Sequence, residues 1–159
     1  MTQKTPTFSR RTFNKTAAVA VGITATAGAI PLVSQAAWPE SAFDAESIEG
    51  VLQSLYGVSE AIPSDAITVK GPDIAENGAV VPVSIKADIA NADSVALLVA
   101  NNPSPLASSF ELLAPGTVSV GTRIKMGETS ELVALVRAEG KVYTATSKEV
   151  KVTIGGCGG

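Results

Sequence analysis

The residue best suited to covalent chemistry is Cys157, the only cysteine, which lies two residues before the last position. Glycines flank it on both sides, in the run Gly155, Gly156, Cys157, Gly158 and Gly159. Because glycine has no Cβ and adopts both signs of φ, the run predicts a thin, flexible arm over residues 155–159. Five residues reach at most about 17 Å when extended. We therefore predict that Cys157 carries a bound cargo into narrow active sites on other proteins.

Other catalytic side chains are scarce. The sequence contains no histidine, which excludes histidine acid–base catalysis, histidine-ligated metals and haem attachment at a C-x-x-C-H motif. A single cysteine cannot form an internal disulfide or a thiolate metal cluster. We predict no metal site and no cofactor, and a covalent carrier rather than an enzyme.

The N-terminus predicts export by the twin-arginine route. Arg10 and Arg11 lie in the sequence S-R-R-T-F-N-K, and an uncharged stretch covers residues 16–33. That stretch is too weakly apolar for a membrane-spanning helix, and Ser34-Gln35-Ala36 offers the small residues that a signal peptidase reads. We predict a cleaved signal peptide over residues 1–36, a periplasmic location and no membrane attachment after cleavage. An uncleaved anchor is the alternative.

The rest of the chain is acidic. The first 36 residues hold four basic residues and no acid, so the remainder carries eight basic and 15 acidic residues, a net charge of −7. A nucleic-acid-binding protein would present a basic surface, so this class is excluded.

In an exported protein a free thiol is a liability unless it is used. We therefore favour a functional cysteine over frayed terminal glycines, a buried cysteine or a disulfide-linked homodimer.

The apolar pattern predicts one domain over residues 37–154. Period 3.6 predicts a single amphipathic helix from Phe43 to Tyr56, ended by Gly57. Period two then predicts seven short strands, separated by turns such as Asn77-Gly78, Pro115-Gly116 and Glu139-Gly140. The strands are Ile67–Val69, Val81–Ile85, Val95–Val99, Leu106–Leu113, Val118–Lys125, Leu132–Val136 and Val142–Ile154.

Seven short strands at near-regular spacing predict an all-β fold, an antiparallel β-sandwich of immunoglobulin type with a short N-terminal helix. Pro82 removes one donor from the ladder, so its strand should lie at an edge or carry a bulge there. The Cys…Trp…Cys pattern of antibody domains is absent from the sequence.

The terminal sequence V-K-V-T-I-G-G-C-G-G resembles the C-terminus of the SoxY family, the sulfur-carrying subunits of the bacterial thiosulfate-oxidising (Sox) system. The loop Asn101–Ala107 and the segment Thr122–Met126 also resemble that family, and the twin-arginine signal agrees with it. The resemblance covers nearly all of the mature chain, and the terminal pentapeptide is its most specific part.

The resemblance implies a heterodimer, or a larger complex, with SoxZ, a second sandwich protein without its own export signal. It implies that the cytochrome SoxXA couples thiosulfate oxidatively to Cys157 as an S-thiosulfonate. SoxB then hydrolyses the terminal sulfonate to sulfate, and a sulfane dehydrogenase oxidises the remaining persulfide sulfur where that enzyme is present. Gly155, Gly156, Gly158 and Gly159 map onto the flexible arm.

Two other classes of protein compete with this interpretation. Ubiquitin-like sulfur carriers end in Gly-Gly and hold sulfur as a C-terminal thiocarboxylate, which Gly158-Gly159 fits superficially. The export signal and Cys157 argue against that class. An exported immunoglobulin-like interaction module would fit the composition, but it leaves the terminal pentapeptide without a role.

Overall fold

The structure, a computed structural model, describes residues 39–147 and 149–153, with the backbone alone at positions 114 and 115. The described residues form two helices and eight strands. The helices are α1 (Glu40–Phe43) and α2 (Ile48–Tyr56). The strands are β1 (Ile62–Pro63), β2 (Ile67–Lys70), β3 (Ile74–Ala75), β4 (Val81–Val99), β5 (Leu106–Ile124), β6 (Leu132–Ala138), β7 (Lys141–Thr146) and β8 (Lys151–Val152).

The predicted helix over Phe43–Tyr56 is wrong in its first half. Ser47 is extended, with φ −143° and ψ 155°, and its side chain accepts a hydrogen bond from the Gly50 N–H. A serine in this conformation is an N-cap, so the chain begins a new helix at Ile48 instead of continuing from α1. The predicted end is confirmed, because Gly57 follows α2 in the left-handed region at φ 70°.

Four of the predicted strands form only two. β4 and β5 each contain 19 residues and pair antiparallel from Val81 opposite Ile124 to Leu98 opposite Leu106. The pairing register shifts between Ala87 and Ser94, where Asn91 adopts a positive φ of 57°. The turn predicted at Pro115-Gly116 is wrong, because both residues lie within β5 opposite this irregularity.

The irregularity divides the long hairpin into two half-sheets that share one core. β2 pairs with the first half of β4, whereas β6 pairs with its second half. Alternate side chains of both halves, among them Val83, Ile85 and Leu97, belong to one buried apolar cluster, and β2 also contacts β6 and β7 across it. The mostly-β, sandwich-like fold is therefore confirmed.

The helices cover the outer face of the second half-sheet. Val51 and Leu52 of α2 pack with Leu98, Leu135 and Val142 in a second buried cluster. Full burial of one such aliphatic side chain contributes about 1.5–3 kcal/mol. The second half-sheet is thus buried on both faces, which explains the nearly continuous apolar run in β6.

The predicted seventh strand is also wrong as a single element. The structure forms β7 over Lys141–Thr146 and a separate β8 over Lys151–Val152. β8 pairs parallel with β3, and β1 pairs parallel with β7, so the described sheets are not purely antiparallel. The Glu139-Gly140 turn is confirmed, with positive φ at both residues. The immunoglobulin type of the sandwich stays a prediction.

β5 is an edge strand in the described part of the chain, since it pairs with β4 and with no other element there. The Pro82 prediction agrees with the register: β2 ends opposite Ser84, so within the described residues Pro82 pairs only with Arg123 of β5.

Candidate functional site

The predicted carrier residues all lie outside the described residues. This holds for Cys157, for the four glycines around it at 155, 156, 158 and 159, and for Arg10 and Arg11 of the export signal. Their roles stay predictions. The structure does describe the chain up to Thr153, four residues before Cys157. We call residues Val150–Thr153 the root of the arm.

One side of the root is paired with β3. The Lys151 N–H donates to the Asp73 carbonyl at 3.1 Å, and the Thr153 N–H donates to the Ala75 carbonyl at 3.2 Å. The Thr153 hydroxyl donates to the Glu76 carbonyl at 3.2 Å. Three hydrogen bonds therefore hold this side up to the last residue described before the arm.

The opposite side of the root contacts residues 129 and 130. Val150 and Ser130 form an isolated antiparallel bridge, with N–H to carbonyl distances of 2.9 and 3.2 Å. The Val152 N–H donates to the Thr129 hydroxyl oxygen at 3.0 Å. Successive N–H groups of an extended chain point to opposite sides. The N–H groups of Lys151 and Thr153 therefore bond β3, and those of Val150 and Val152 bond residues 129 and 130.

Two asparagines hold the segment that contacts the root. Asn101 Nδ2 donates to the Thr129 carbonyl at 2.9 Å. Asn102 bonds the same connection twice: its Nδ2 donates to the Lys125 carbonyl at 2.9 Å, and its Oδ1 accepts from the Gly127 N–H at 3.0 Å. The loop after β4 thus fixes the loop after β5, which in turn fixes the root.

The sequence predicted only part of this arrangement. Residues 101–107 and 122–126 resemble the SoxY family, and the structure joins them through Asn102 and Lys125. Thr129 and Thr153 were missed. A lone threonine gives no pattern in a sequence, since its contact with the root depends on residues 23 positions apart in the chain.

A cleft of about 270 Å³ lies next to the root and is lined by residues 68–73 with Ser147, Glu149 and Val150. Its charged lining residues are Lys70, Asp73 and Glu149. With two carboxylates and one lysine, this cleft does not favour a small anion such as thiosulfate. Among the described residues, no group of three or more acidic, cysteine or histidine side chains could hold a metal ion.

The two residues with shifted pKa values, Tyr56 and Arg137, lie where α2 meets the sheet. Arg137 Nε is 2.6 Å from Asp93 Oδ1 and its Nη2 is 3.1 Å from Glu111 Oε2. The guanidinium lies 5.6 Å from the centre of the Tyr56 ring, and the Tyr56 hydroxyl lies 3.2 Å from Ser94 Oγ.

Each shift in this group has a clear cause. Burial raises the pKa of Tyr56, against the opposing effects of Ser94 and Arg137. The hydrogen bond with Asp93 raises the pKa of Arg137. Arg137 thus pairs with Asp93 and Glu111. The contacts of Tyr56 with Ser94 and Arg137 attach α2 to the sheet.

No helix in the described part of the chain is long and apolar enough to cross a membrane.

The model of the family "Sulfur oxidation protein SoxY" matches residues 52–157, so the match extends from α2 to Cys157. A search of curated proteins found no match.

Solved structures also match the chain. The sulfur carrier protein SoxY from Chlorobium limicola f. thiosulfatophilum is 40% identical, with a TM-score of 0.58 over 65% of this chain and 93% of that one. A CARDB domain from Pyrococcus furiosus, solved with di-metal ions, is 15% identical over 55% of this chain and 86% of that one, and its TM-score of 0.32 is too low to bear on fold or function. The family match over most of the domain, together with the 40% identical carrier, places this chain in the SoxY family of sulfur oxidation proteins.

Proposed function

We propose that this protein is a covalent sulfur carrier that holds thiosulfate-derived sulfur on Cys157. The observation that carries the proposal is the match to the SoxY family, which runs through the folded domain and ends at Cys157. The geometry of the root supports it. The chain is hydrogen-bonded on both sides up to Thr153, and the glycine-rich sequence begins two residues later.

Each step of the proposed cycle is balanced. In the first, the Cys157 thiol and thiosulfate join through a new S–S bond, giving the S-thiosulfonate, one proton and two electrons, which a SoxXA-type cytochrome accepts. In the second, a SoxB-type hydrolase adds water across the S–SO₃ bond and releases sulfate and a proton, leaving Cys157 as a persulfide. A sulfane dehydrogenase, where present, closes the cycle: the persulfide and three waters give the S-sulfonate, seven protons and six electrons, which the dehydrogenase accepts, and a further hydrolysis releases sulfate, a proton and the thiol. None of these steps needs a catalytic group on this chain.

A covalent bond holds an anionic cargo that the described surface would not retain by charge. The cleft beside the root carries more negative than positive charge, and the mature chain is acidic overall. A tethered sulfur atom also raises the effective concentration of the cargo at each enzyme that the arm visits.

The carrier is proposed to act in the periplasm as a complex with SoxZ. Residues 1–36, including Arg10 and Arg11, would direct export by the twin-arginine route, which carries folded proteins. Since no cofactor motif requires folding before export, we propose that the chain leaves the cytoplasm already bound to SoxZ, which has no signal of its own. Finding a separate signal peptide on that partner would contradict this part of the proposal.

Mass spectrometry of the protein purified from thiosulfate-grown cells tests the carrier function. We expect the added mass of a thiosulfonate or a persulfide, confined to the peptide that contains Cys157. The Cys157→Ser variant should carry no adduct and should abolish thiosulfate-dependent respiration.

A relocated thiol is the matched control. In Cys157→Ser/Ser59→Cys, the cysteine moves to an exposed position after α2, and we expect no enzymatic loading there. Undiminished thiosulfate oxidation by Cys157→Ser would instead favour an exported interaction module. An adduct on the Gly159 carboxyl group would favour thiocarboxylate chemistry.

A further inference from the structure

The Val152 N–H of β8 donates a hydrogen bond to the Thr129 hydroxyl oxygen at 3.0 Å, so a side chain holds the backbone of this strand. The pairing of β3 with β8 covers only two residues on each strand. Two-stranded pairs of this size are marginal by themselves. The N–H of Val152 points away from β3, where the Thr129 hydroxyl occupies the place that a third strand would take.

The bridge between Val150 and Ser130 lies on the same side as Thr129, two residues earlier along the root. If the Thr129 contact is lost, the last bonds on that side are therefore those of Val150. The bonds to β3 remain, but Lys151, Val152 and Thr153 are then held from one side only. Such a short pair frays from its end, so up to three residues, Lys151 to Thr153, can leave the sheet.

We propose that Thr129 is a positioning residue that sets the length of the carrier arm by holding Val152. The proposal rests on the carrier function proposed for Cys157. Cys157 lies four Cα–Cα steps beyond Thr153, so while Thr153 is held the cysteine can reach at most about 13–14 Å from it. If the root is held only to Val150, the seven steps from Val150 allow a reach of about 23–25 Å.

Arm length controls how often the cysteine meets a channel at a fixed distance. Effective concentration falls roughly as the −3/2 power of linker length once the span is exceeded. Lengthening the tether from four Cα–Cα steps to seven therefore lowers the effective concentration about twofold.

Asn101 acts indirectly, through Thr129, because its Nδ2 donates to the Thr129 carbonyl at 2.9 Å. Loss of the Asn101 side chain should therefore lengthen the arm as well.

Pulsed electron paramagnetic resonance on the full chain tests this directly. One nitroxide is attached to Cys157 and a second to Ser54→Cys, an exposed position on α2. Thr129→Val removes the hydroxyl and keeps the shape of the side chain. We expect its distance distribution to broaden and to extend by up to about 10 Å, which corresponds to three more free residues.

Three further variants separate positioning from a general loss of structure. Thr129→Ser keeps the hydroxyl and should restore the native distribution. Thr68→Val, at an exposed position on β2, should not alter it. Asn101→Ala should broaden it as Thr129→Val does, and thermal unfolding of each variant verifies that the domain is folded.

Native distributions in both Thr129→Val and Asn101→Ala would overturn the proposal, and so would broadening in Thr68→Val or in Thr129→Ser. Loading by a small thiol reagent should keep its native rate in Thr129→Val, whereas transfer to the receiving enzymes should fall about twofold. Absence of any sulfur adduct on Cys157 would refute the carrier function, and it would leave the distance measurement unaffected.

Discussion

Replacing Gly71 by alanine tests how closely the chain is packed beside the root, just before β3. A Cβ at this position would lie 2.9 Å from Leu132 Cδ1 and 3.1 Å from Val150 Cγ2. Both side chains are buried, at 0% and 2% exposure, so neither can move away without displacing its neighbours. Overpacking of this kind costs about 1–3 kcal/mol.

The unfolded chain offsets part of that cost. Alanine restricts the unfolded backbone more than glycine does, which stabilises the folded state by about 0.4–1 kcal/mol where the native φ and ψ suit it. The net loss for Gly71→Ala is therefore about 0.5–2 kcal/mol. For a domain of this size, we expect the midpoint of thermal unfolding to fall by roughly 2–10 °C.

Gly121→Ala is the matched control. Gly121 lies in β5 opposite Ser84, and a Cβ built there meets no atom within 4 Å. The same substitution should leave the midpoint unchanged or raise it slightly, since only the effect on the unfolded chain remains. Differential scanning calorimetry of both variants decides the question. Equal midpoints would refute the packing described around Leu132 and Val150.

Two further predictions concern α2. Burial raises the pKa of Tyr56 above its ordinary value of 10.0, so the free energy of unfolding should be unaffected below pH 10 and should fall above it, where the tyrosine of the unfolded chain ionises first. In urea unfolding, Tyr56→Phe should lose less of its free energy of unfolding between about pH 9 and about pH 11 than the native protein does. Equal slopes of that free energy against pH in the two proteins would contradict the burial of the Tyr56 hydroxyl. Ser47→Ala should lower stability by about 1 kcal/mol through loss of the N-cap, whereas Ser54→Ala, at an exposed position inside the helix, should be nearly neutral; similar losses in both would contradict the capping role.

The sequence located most strands because apolar alternation depends only on local residues. It could not show that 81–85 and 95–99 belong to one strand. The intervening residues 88–93 are polar or small except Ile89, so they show no apolar alternation. Among them only Ala92 pairs with β5 and β6, and Asn91 has a positive φ. The continuity of the strand therefore comes from the pairing on either side of these residues. The break in the predicted helix was visible in principle, because Ser47 with Gly50 is a capping contact three residues apart. The apolar periodicity of the predicted helix did not show this break.

The candidate site divides in the same way. Cys157 and its glycines are recognisable from composition alone, because nothing else in the sequence resembles them. The support beneath them is not recognisable. β3 and β8 contain two residues each, too few to give a period, and their pairing joins residues 77 positions apart. Contacts of that range come from the tertiary fold and have no local signature.

The register shift in the long hairpin bears on how the protein behaves at high concentration. A straight, uncovered strand edge is a template for polymerisation, since each arriving molecule offers a fresh edge to the next one. Here the pairing with β4 is divided into residues 106–111 and 118–124 of β5, on either side of the register shifts, and the two stretches belong to different half-sheets. An incoming strand can pair in register with one of these stretches, but the irregularity interrupts the pairing before the next one. We therefore expect this edge to be a poor template for edge-to-edge growth.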